Sequence, residues 1–326
     1  MQRPEVRPHL TKLLKHKRYH RRMTIAAGFR VENGVLLCAD QLHVAGDGAT
    51  SYSPKLVAGE TSDGLCVFGF AYAGNQANAK LAIRACMKTI KRGKASGSEE
   101  MLDALSRSIL AVNKNHVDCH QPSELDAERF ELLIALNCVG ESYTELFTTS
   151  GSTLMPVEKR YHFIGVGGAY GECVGRVMPQ QEATSLEVAL MLANRSLATA
   201  KRYTNDCGGP SSFTFVSKEV GCPRILHVNQ PFIEEYVSEY ETAMDRILLA
   251  CVEDKSTDVS IAKELESLAT SAGLLRFKWR SSMRALALPL RGMVPILPKR
   301  SSPQSTTTDS SPQPPSPELP GGSGES

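Results

Sequence analysis

The sequence lacks the features of a membrane-spanning or fibrous protein. No stretch of the 326 residues approaches the ~18 consecutive apolar residues that a transmembrane helix needs. The basic segment at residues 1–22 is not followed by the apolar core of a signal peptide, so we do not expect secretion. No repeat of solenoid or propeller period occurs. With 41% hydrophobic and 22% charged residues, the composition is typical of a globular protein.

The sequence also lacks a disulfide framework. It has nine cysteines, an odd number, scattered singly and without a Cys-x-x-Cys pair. Several of them stand within apolar runs, a pattern that favours buried thiols in a reducing compartment. We therefore predict a cytoplasmic location.

Net charge is low as well, but it is unevenly distributed. The formal charge is +2, while residues 1–22 carry eight lysines and arginines against one glutamate, a net of +7. The rest of the chain therefore sums to −5. The basic arm and the remainder of the chain therefore carry net charges of opposite sign, and the total of +2 describes neither part.

Composition divides the chain into three parts. Residues 301–326 are mostly Ser, Thr, Pro and Gly, with Leu319 as the one large aliphatic residue. Such a segment cannot bury enough apolar surface to offset its ordering entropy, so we expect a disordered tail. Residues 24–300 are expected to form one domain with a helical C-terminal extension. Residues 1–23 are expected to be a basic leader or a misassigned start, absent from the working protein.

The hydrophobic pattern predicts antiparallel hairpins beside paired helices. The Asn33-Gly34 turn signal between two apolar runs predicts the first hairpin. The order of elements favours an α+β layered sandwich over a doubly wound parallel sheet. The predicted strands are 24–31, 35–40, 65–72, 130–138, 143–149, 159–164, 212–217 and 224–229. The predicted helices are 75–91, 99–114, 184–203 and about 233–272.

Chemistry-bearing residues stand at the ends of the predicted strands between residues 24 and 74. Thr24 opens the first strand, Asp40 ends the second, Lys55 follows fifteen residues later, and Gly74 precedes the first helix. Counted from Thr24 as first residue, Gly34 is eleventh, Asp40 seventeenth and Gly46 twenty-third.

This register resembles that of the N-terminal-nucleophile (Ntn) hydrolases, and within them the β-type subunits of the 20S proteasome and the HslV peptidase. Lys55 falls one residue early against the family pattern. The resemblance covers roughly residues 24–235 and implies a four-layer αββα sandwich, in which two antiparallel sheets are flanked by helices.

The resemblance implies a threonine-type endopeptidase or amidohydrolase that needs no cofactor and no metal. Thr24 would be the nucleophile and its own α-amine the base, because a free α-amine has a pKa near ~7.7–8.0. A lysine cation at Lys55 would lower that pKa, and Asp40 would hold the lysine. The Gly74 backbone N–H would stabilise the oxyanion. The implied partners are a peptide or protein substrate, a homo-oligomeric ring and an ATPase, with no membrane.

The chain departs from the family pattern at several positions. Thr24 is internal and follows Met23, where self-processing members carry Gly; methionine aminopeptidase would expose Thr24 if translation began at Met23. Val166 occupies the position of an accessory serine. A later Asp-Ser pair of the family falls at Asp206 and Cys207, so Asp206 would supply the acid with a shift of register while Cys207 replaces the serine.

Two other functions remain open. The first is a non-catalytic ring or scaffold subunit of the same fold, which Val166 and Cys207 favour. The second is a nucleic-acid-associated protein that acts through the basic arm by phosphate contacts. No accompanying motif supports the second, so nucleic-acid binding is not the favoured reading.

Two further patterns admit a functional and a plain structural interpretation. His116, Cys119 and His120 could share a helix face and hold zinc, but no fourth ligand stands nearby, and a polar helix end is favoured. The glycine-rich run from Gly165 to Gly171 misses the dinucleotide fingerprint because position 170 is Tyr. We interpret it as the turn by which a strand enters a closely packed helix.

Overall fold

The structure is a computed structural model that describes residues 24–44, 49–62, 64, 66–92, 98–121, 125–138, 145–177, 184–217, 225–228, 231–252 and 256–292. The predicted leader, Gly46 and the predicted tail at 301–326 lie outside these residues.

The described residues form twelve strands and seven helices. The strands are β1 (Ala26–Val31), β2 (Gly34–Asp40), β3 (Leu42–Val44), β4 (Thr50–Tyr52), β5 (Leu56–Glu60), β6 (Cys66–Gly74), β7 (Phe130–Cys138), β8 (Glu145–Ser150), β9 (Thr153–Pro156), β10 (Tyr161–Ile164), β11 (Ser211–Ser217) and β12 (Ile225–Val228). The helices are α1 (Gln76–Arg92), α2 (Ser98–His116), α3 (Leu125–Glu128), α4 (Gly168–Gly175), α5 (Leu186–Tyr203), α6 (Pro231–Val252) and α7 (Asp258–Gly292).

Two five-stranded antiparallel sheets make up most of the fold. The first sheet has the order β10-β1-β2-β11-β12 and the second the order β5-β6-β7-β8-β9. Strands β3 and β4 form a separate two-stranded ribbon. The Asn33-Gly34 turn joins β1 to β2, as predicted, and Gly34 has φ +151°. The chain is therefore an α+β protein with antiparallel sheets and helices.

Successive side chains of a strand point to opposite sides of its sheet. In the central strands the side chains on both sides are buried. In β2, Leu36 and Cys38 join a core cluster shared with α5, while Val35 and Leu37 join a different cluster that contains residues of the second sheet. All seven residues of β2 are buried. This pattern explains why the sequence of β2 reads as a continuous apolar run and not as an alternating one.

The core consists of three main clusters. One joins the first sheet to α4 and α5, and one joins the second sheet to α1 and α2. The third lies between strands of the two sheets and is built from smaller side chains, among them Val35, Ala71, Leu133 and Val216. Each sheet thus shares one cluster with helices and one with the other sheet, which is consistent with an α+β sandwich.

Besides β9 and α3, which were not predicted, the prediction was wrong in two regions. The helix predicted over about 233–272 is two helices: α6 ends at Val252, and α7 begins at Asp258 and continues to Gly292. The segment predicted as a loop through residue 53 contains β3 and β4, and β5 follows Lys55 without having been predicted. β3 and β4 have three residues each, which is too few to display a periodic pattern.

The last helix packs only partially against the rest of the chain. Trp279 and Met283 contact the cluster between the first sheet and its helices, and Leu275 contacts a small cluster around Ile233 and Val237. None of the described side chains of α7, residues 258–283, is buried. Among the described helices, none is both long and apolar enough to cross a membrane.

Candidate active site

Three strand ends bring Thr24, Asp40 and Lys55 together. Thr24 precedes β1 by two residues, Asp40 is the last residue of β2, and Lys55 directly precedes β5. Strands β1 and β2 belong to the first sheet and β5 to the second. The site therefore lies where the ends of the two sheets meet, and the side chains predicted to act together are in direct contact.

The carboxylate of Asp40 is the common acceptor of this cluster. Its Oδ1 accepts hydrogen bonds from Thr24 Oγ1, from Lys55 Nζ at 2.7 Å and from the Ile25 backbone N–H at 3.2 Å. Its Oδ2 accepts from the Gly208 backbone N–H at 3.0 Å. Lys55 Nζ also donates to Thr24 Oγ1. Each pair among Thr24, Asp40 and Lys55 is thus hydrogen-bonded.

The three side chains are almost completely inaccessible, with 3% of Thr24, none of Asp40 and 1% of Lys55 exposed. Burial lowers the pKa of the Lys55 ammonium below its usual value, and the neighbouring Asp40 carboxylate opposes that shift. The net effect is a lysine that gives up its proton more readily than one in water. Such a lysine is suited to a site where protons are moved.

A glycine turn between β10 and α4 closes over the backbone of Thr24. Gly165 has φ +81°, and a Cβ atom there would lie 2.3 Å from the Thr24 carbonyl oxygen. The Gly167 N–H donates to that same oxygen at 3.2 Å. The interpretation of the glycine run as a strand-to-helix turn is confirmed, and the glycines are needed because the turn approaches Thr24 so closely.

Gly74 ends β6 with φ +86°, and a Cβ there would lie 2.5 Å from the Arg129 carbonyl oxygen. The next residue, Asn75, caps α1: its Oδ1 accepts from the backbone N–H groups of Ala77 at 3.0 Å and Asn78 at 3.2 Å. Asn75 Nδ2 donates to Glu128 Oε2 at 2.6 Å. Gly74 thus stands at a fixed strand-to-helix junction beside the site.

A cavity of about 250 Å³ opens next to Thr24. Lys55, Gly74, His43 and Gln76 are among the residues that line it. His43 Nε2 lies 2.8 Å from Ser53 Oγ and 3.3 Å from the Ser53 carbonyl oxygen, and Gln76 Nε2 donates to Ser53 Oγ at 2.9 Å. Burial and the Lys55 cation lower the pKa of His43 to about 4, so its imidazole is neutral at physiological pH.

The remaining predicted site residues are placed differently. Asp206 is half-buried and, among the described residues, makes no hydrogen bond to Thr24, Asp40 or Lys55. Cys207 is buried in the core cluster of the first sheet, where burial raises the pKa of its thiol to about 11. Val166 is half-buried within the glycine turn. The turn at residues 206–208 contributes the Gly208 N–H to Asp40, and this contact was not predicted.

The histidines and cysteines elsewhere form no metal site in the part of the chain that the structure describes, which holds no group of three or more potential His, Cys, Asp or Glu ligands. α2 ends at His116, and Cys119 Sγ donates to the Asn115 carbonyl oxygen at 3.3 Å. Of the described cysteines, Cys66 and Cys138 face each other across β6 and β7 with their Sγ atoms 2.7 Å apart.

Sequence reasoning missed the residues that surround the predicted trio. Ile25 and Gly208 act through backbone N–H groups, which no side-chain pattern reveals. His43 and Ser53 stand in a segment without hydrophobic periodicity. The position of Gln76 in the first turn of α1, two residues after Gly74, was the one available signal, since it places that side chain beside the predicted oxyanion donor.

No protein-family model matches the sequence, and no curated protein matches it. Solved structures do match its fold. Anbu from Yersinia bercovieri, described as an ancestral beta-subunit, is 17% identical with a TM-score of 0.56, covering 72% of this chain and 100% of that one. A Gly-1 mutant of Anbu from Hyphomicrobium sp. strain MC1 is 16% identical with a TM-score of 0.58 and the same coverage. The helical assembly of the Anbu complex from Pseudomonas aeruginosa is 16% identical with a TM-score of 0.59, covering 71% and 98%.

The chain therefore has a proteasome-like fold. Within that class, it resembles the solved structures of Anbu proteins. The assignment to 20S proteasome β subunits and HslV was wrong, because the similar structures are Anbu and not either of those, although the groups are related. At 16–17% identity the likeness concerns the fold alone.

Proposed function

We propose that the chain is an N-terminal-nucleophile hydrolase that cleaves peptide or other amide bonds once Thr24 has become the first residue. The observation that carries the proposal is the hydrogen-bonded cluster of Thr24 Oγ1, Asp40 and Lys55 beside a cavity. A buried ion pair costs desolvation energy, so a contribution to stability does not by itself explain why the pair is present. Its direct contact with a hydroxyl at a cavity therefore favours a chemical role.

The reaction follows from the placement of these groups. The freed α-amine of Thr24 takes the proton of Oγ1, which attacks the substrate carbonyl carbon. The Lys55 cation keeps the pKa of that amine low, and the Gly74 N–H stabilises the oxyanion. The amine returns the proton to the leaving nitrogen, and an ester remains on Thr24. Water, deprotonated by the same amine, then hydrolyses the ester and restores the hydroxyl.

The finer description of the fold belongs to the same proposal. The three core clusters support a four-layer αββα arrangement like that of the Ntn hydrolases. The working domain would be residues 24–300, without the basic leader.

Because an Anbu complex from Pseudomonas aeruginosa forms a helical assembly, we propose that this chain also assembles with copies of itself. Sedimentation velocity of the purified protein tests that part, and a monomer at all concentrations would contradict it. The ATPase partner stays a prediction.

The central test joins mass and activity. Intact-mass spectrometry of the protein from its own host should find a species that begins at Thr24, and that species should hydrolyse fluorogenic peptide amides. Thr24→Ala should abolish hydrolysis, and Thr50→Ala, an exposed threonine in β4, is the matched control. A protein that always retains Met23, or hydrolysis that survives in Thr24→Ala, would refute the proposal.

The second candidate function is a non-catalytic scaffold of the same fold. It is favoured by the near-complete burial of the Thr24 side chain and by the burial of Cys207 in the core cluster of the first sheet. A scaffold would assemble equally well with Thr24→Ala and would show no hydrolysis in either form. The same pair of measurements therefore separates the two functions.

A further inference from the structure

His43 is a polar side chain of the cavity that the reaction described above does not use. It lines the cavity together with Thr24, and its ring lies 6.2 Å from the Tyr72 ring, centroid to centroid. Ser53 Oγ is hydrogen-bonded to Nε2 of the imidazole, and Gln76 Nε2 donates to the same Ser53 Oγ. The ring is thus fixed beside the candidate nucleophile, half-buried, by contacts from two different segments of the chain.

The contacts of His43 favour a proton on one of its two ring nitrogens. Nε2 faces the Ser53 carbonyl oxygen at 3.3 Å, an atom that can only accept, and Ser53 Oγ at 2.8 Å, an atom that can accept as well. A proton on Nε2 satisfies both contacts. In the neutral imidazole the other nitrogen, Nδ1, is then an acceptor. Nδ1 makes no hydrogen bond to any residue that the structure describes.

The charges around the ring restrict what can bind to Nδ1. Lys55, in the wall of the cavity, and Lys80, one turn along α1 from Gln76, both oppose a positive charge at His43, while Asp40 favours one less strongly than Lys55 opposes it. The same two lysines oppose a cationic side chain of a substrate. A carboxylate would direct its own lone pairs at the unprotonated Nδ1. An uncharged hydrogen-bond donor is not repelled by the lysines, and it offers a proton to the Nδ1 lone pair.

We propose that His43 is a specificity-determining residue, which through Nδ1 accepts a hydrogen bond from an uncharged donor side chain of the substrate. Asparagine and glutamine fit best, because a carboxamide is neutral and offers two N–H groups. The substrate class would be peptides with a carboxamide side chain next to the bond that is cleaved. This inference rests on the proposed function, since it takes Thr24 as the attacking residue.

The test uses four matched acetylated peptides that carry Gln, Glu, Leu or Lys before a fluorogenic amide. Equilibrium binding to the full chain is measured by calorimetry, and hydrolysis is measured separately. Gln and Glu have the same shape and differ at the one group that meets Nδ1. We expect the Gln peptide to bind about tenfold more tightly than the Glu and Lys peptides, the effect of about one well-made hydrogen bond.

Two variants locate the effect. His43→Leu should reduce the Gln-to-Glu ratio to within about twofold, because it removes the acceptor at similar size. His162→Leu is the matched control, a half-buried histidine in β10 that does not line the cavity, and it should leave the ratio unchanged. Far-UV circular dichroism checks that both variants fold. If one variant does not fold, the affinities of the unaltered chain for the four peptides still test the inference.

The outcomes separate the inference from the function on which it rests. Binding that favours Gln without any hydrolysis would refute the proposed function and leave the role of His43 standing. Hydrolysis of all four peptides without a preference for Gln would overturn the inference alone. Equal affinities for Gln and Glu, or no binding at all, would also overturn it.

Discussion

At the scale of single residues, Asp40 is the side chain on which the site depends most. It is fully buried, and its two oxygens accept four hydrogen bonds, from Thr24, Ile25, Lys55 and Gly208. A buried carboxylate is tolerated only when its acceptor capacity is used in this way. Removing its charge would leave the Lys55 ammonium buried without a counter-ion.

We therefore expect Asp40→Asn to lower the free energy of unfolding by about 3–5 kcal/mol, the usual cost of breaking a buried ion pair on one side. Urea unfolding followed by circular dichroism measures the change. Asp118→Asn, at an exposed position, is the control and should alter stability by less than about 0.5 kcal/mol. Equal losses in the two variants would contradict the role of Asp40.

The lowered pKa of Lys55 gives a prediction of pH dependence. Below the usual lysine pKa of 10.5, the unfolded chain keeps the proton at this position more firmly than the folded chain does. Folding then releases protons, so this group's contribution to stability rises as the pH increases toward 10.5. The stability of the unaltered chain relative to Lys55→Met should therefore grow between neutral and alkaline pH.

Denaturant unfolding at a series of pH values measures that difference. Lys114→Met, at an exposed position on α2, controls for the loss of one lysine. A difference that shrinks as the pH increases would show that the attraction of Asp40 outweighs burial, which is the reverse of the shift described for Lys55.

The sequence could predict the residues of the site only where spacing or strand ends reveal them. Thr24, Asp40 and Lys55 stand at strand boundaries, and the structure brings them into contact. Asp206 was assigned by a motif with a shifted register, and the neighbouring backbone N–H of Gly208 makes the contact with Asp40 instead. His43 could not be assigned, because its position depends on how β3 and β4 fold back, and three-residue strands have no sequence signature.

At the scale of elements, the glycine turn before α4 is shaped by its approach to Thr24. We expect Gly165→Ala to destabilise the fold through both a strained φ and an overlap with the Thr24 carbonyl. Gly151 is the matched control, since its φ is +59° but nothing lies within 4 Å of an added Cβ. Gly151→Ala should cost about 1–2 kcal/mol for φ alone, and Gly165→Ala about 1–3 kcal/mol more.

Thermal or urea unfolding of both variants gives the comparison. Similar losses in the two would mean that the turn can move away from Thr24, and the close approach would then have no influence on the site.

The N-terminus of α1 provides a second prediction about an element. Asn75→Ala removes the cap of α1 and the link to Glu128, whereas Ser185→Ala removes a single 3.4 Å capping contact at α5. A lost cap costs about 0.5–2 kcal/mol, and we expect Asn75→Ala to exceed Ser185→Ala by about 1 kcal/mol for the additional buried bonds. Chemical unfolding measures both, and an equal cost would indicate that Glu128 does not tie α3 to α1.

The elements that the sequence predicted well are those with long patterns. Helices α1, α2 and α5 and the strands β2, β6 and β7 were found because they carry nine or more periodic residues or a continuous apolar run. The break between α6 and α7 was missed because both sides are helical in composition. The last element, α7, packs along α6 through partly buried residues, and a residue pattern does not disclose this arrangement.

At the scale of the whole molecule, stability is unevenly distributed. The sheets and their helices share fully buried clusters, while α7 has no buried side chain among residues 258–283. Trp279, the single tryptophan of the chain, lies on α7 and contacts the core. Its fluorescence therefore reports on whether this helix is attached.

We expect the tryptophan emission to shift at a lower denaturant concentration than the circular dichroism signal of the sheets, because weakly buried elements open first. The two signals are recorded on the same samples across a urea titration. Coincident transitions would instead show that α7 unfolds cooperatively with the sheets.

The contacts of Asp40 also bear on when the site can come into existence during synthesis. The bond from Gly208 to Asp40 joins positions 168 residues apart, and it requires β11 to lie beside β2. A growing chain on the ribosome has therefore made Thr24, Asp40 and Lys55 long before the group that completes the carboxylate's partners leaves the exit tunnel. Contacts between such distant positions are slow to form, because the closure of a long loop costs entropy. Under the proposed function, a nascent chain would hold Thr24, Asp40 and Lys55 without the completed contacts of the carboxylate until β11 lies beside β2.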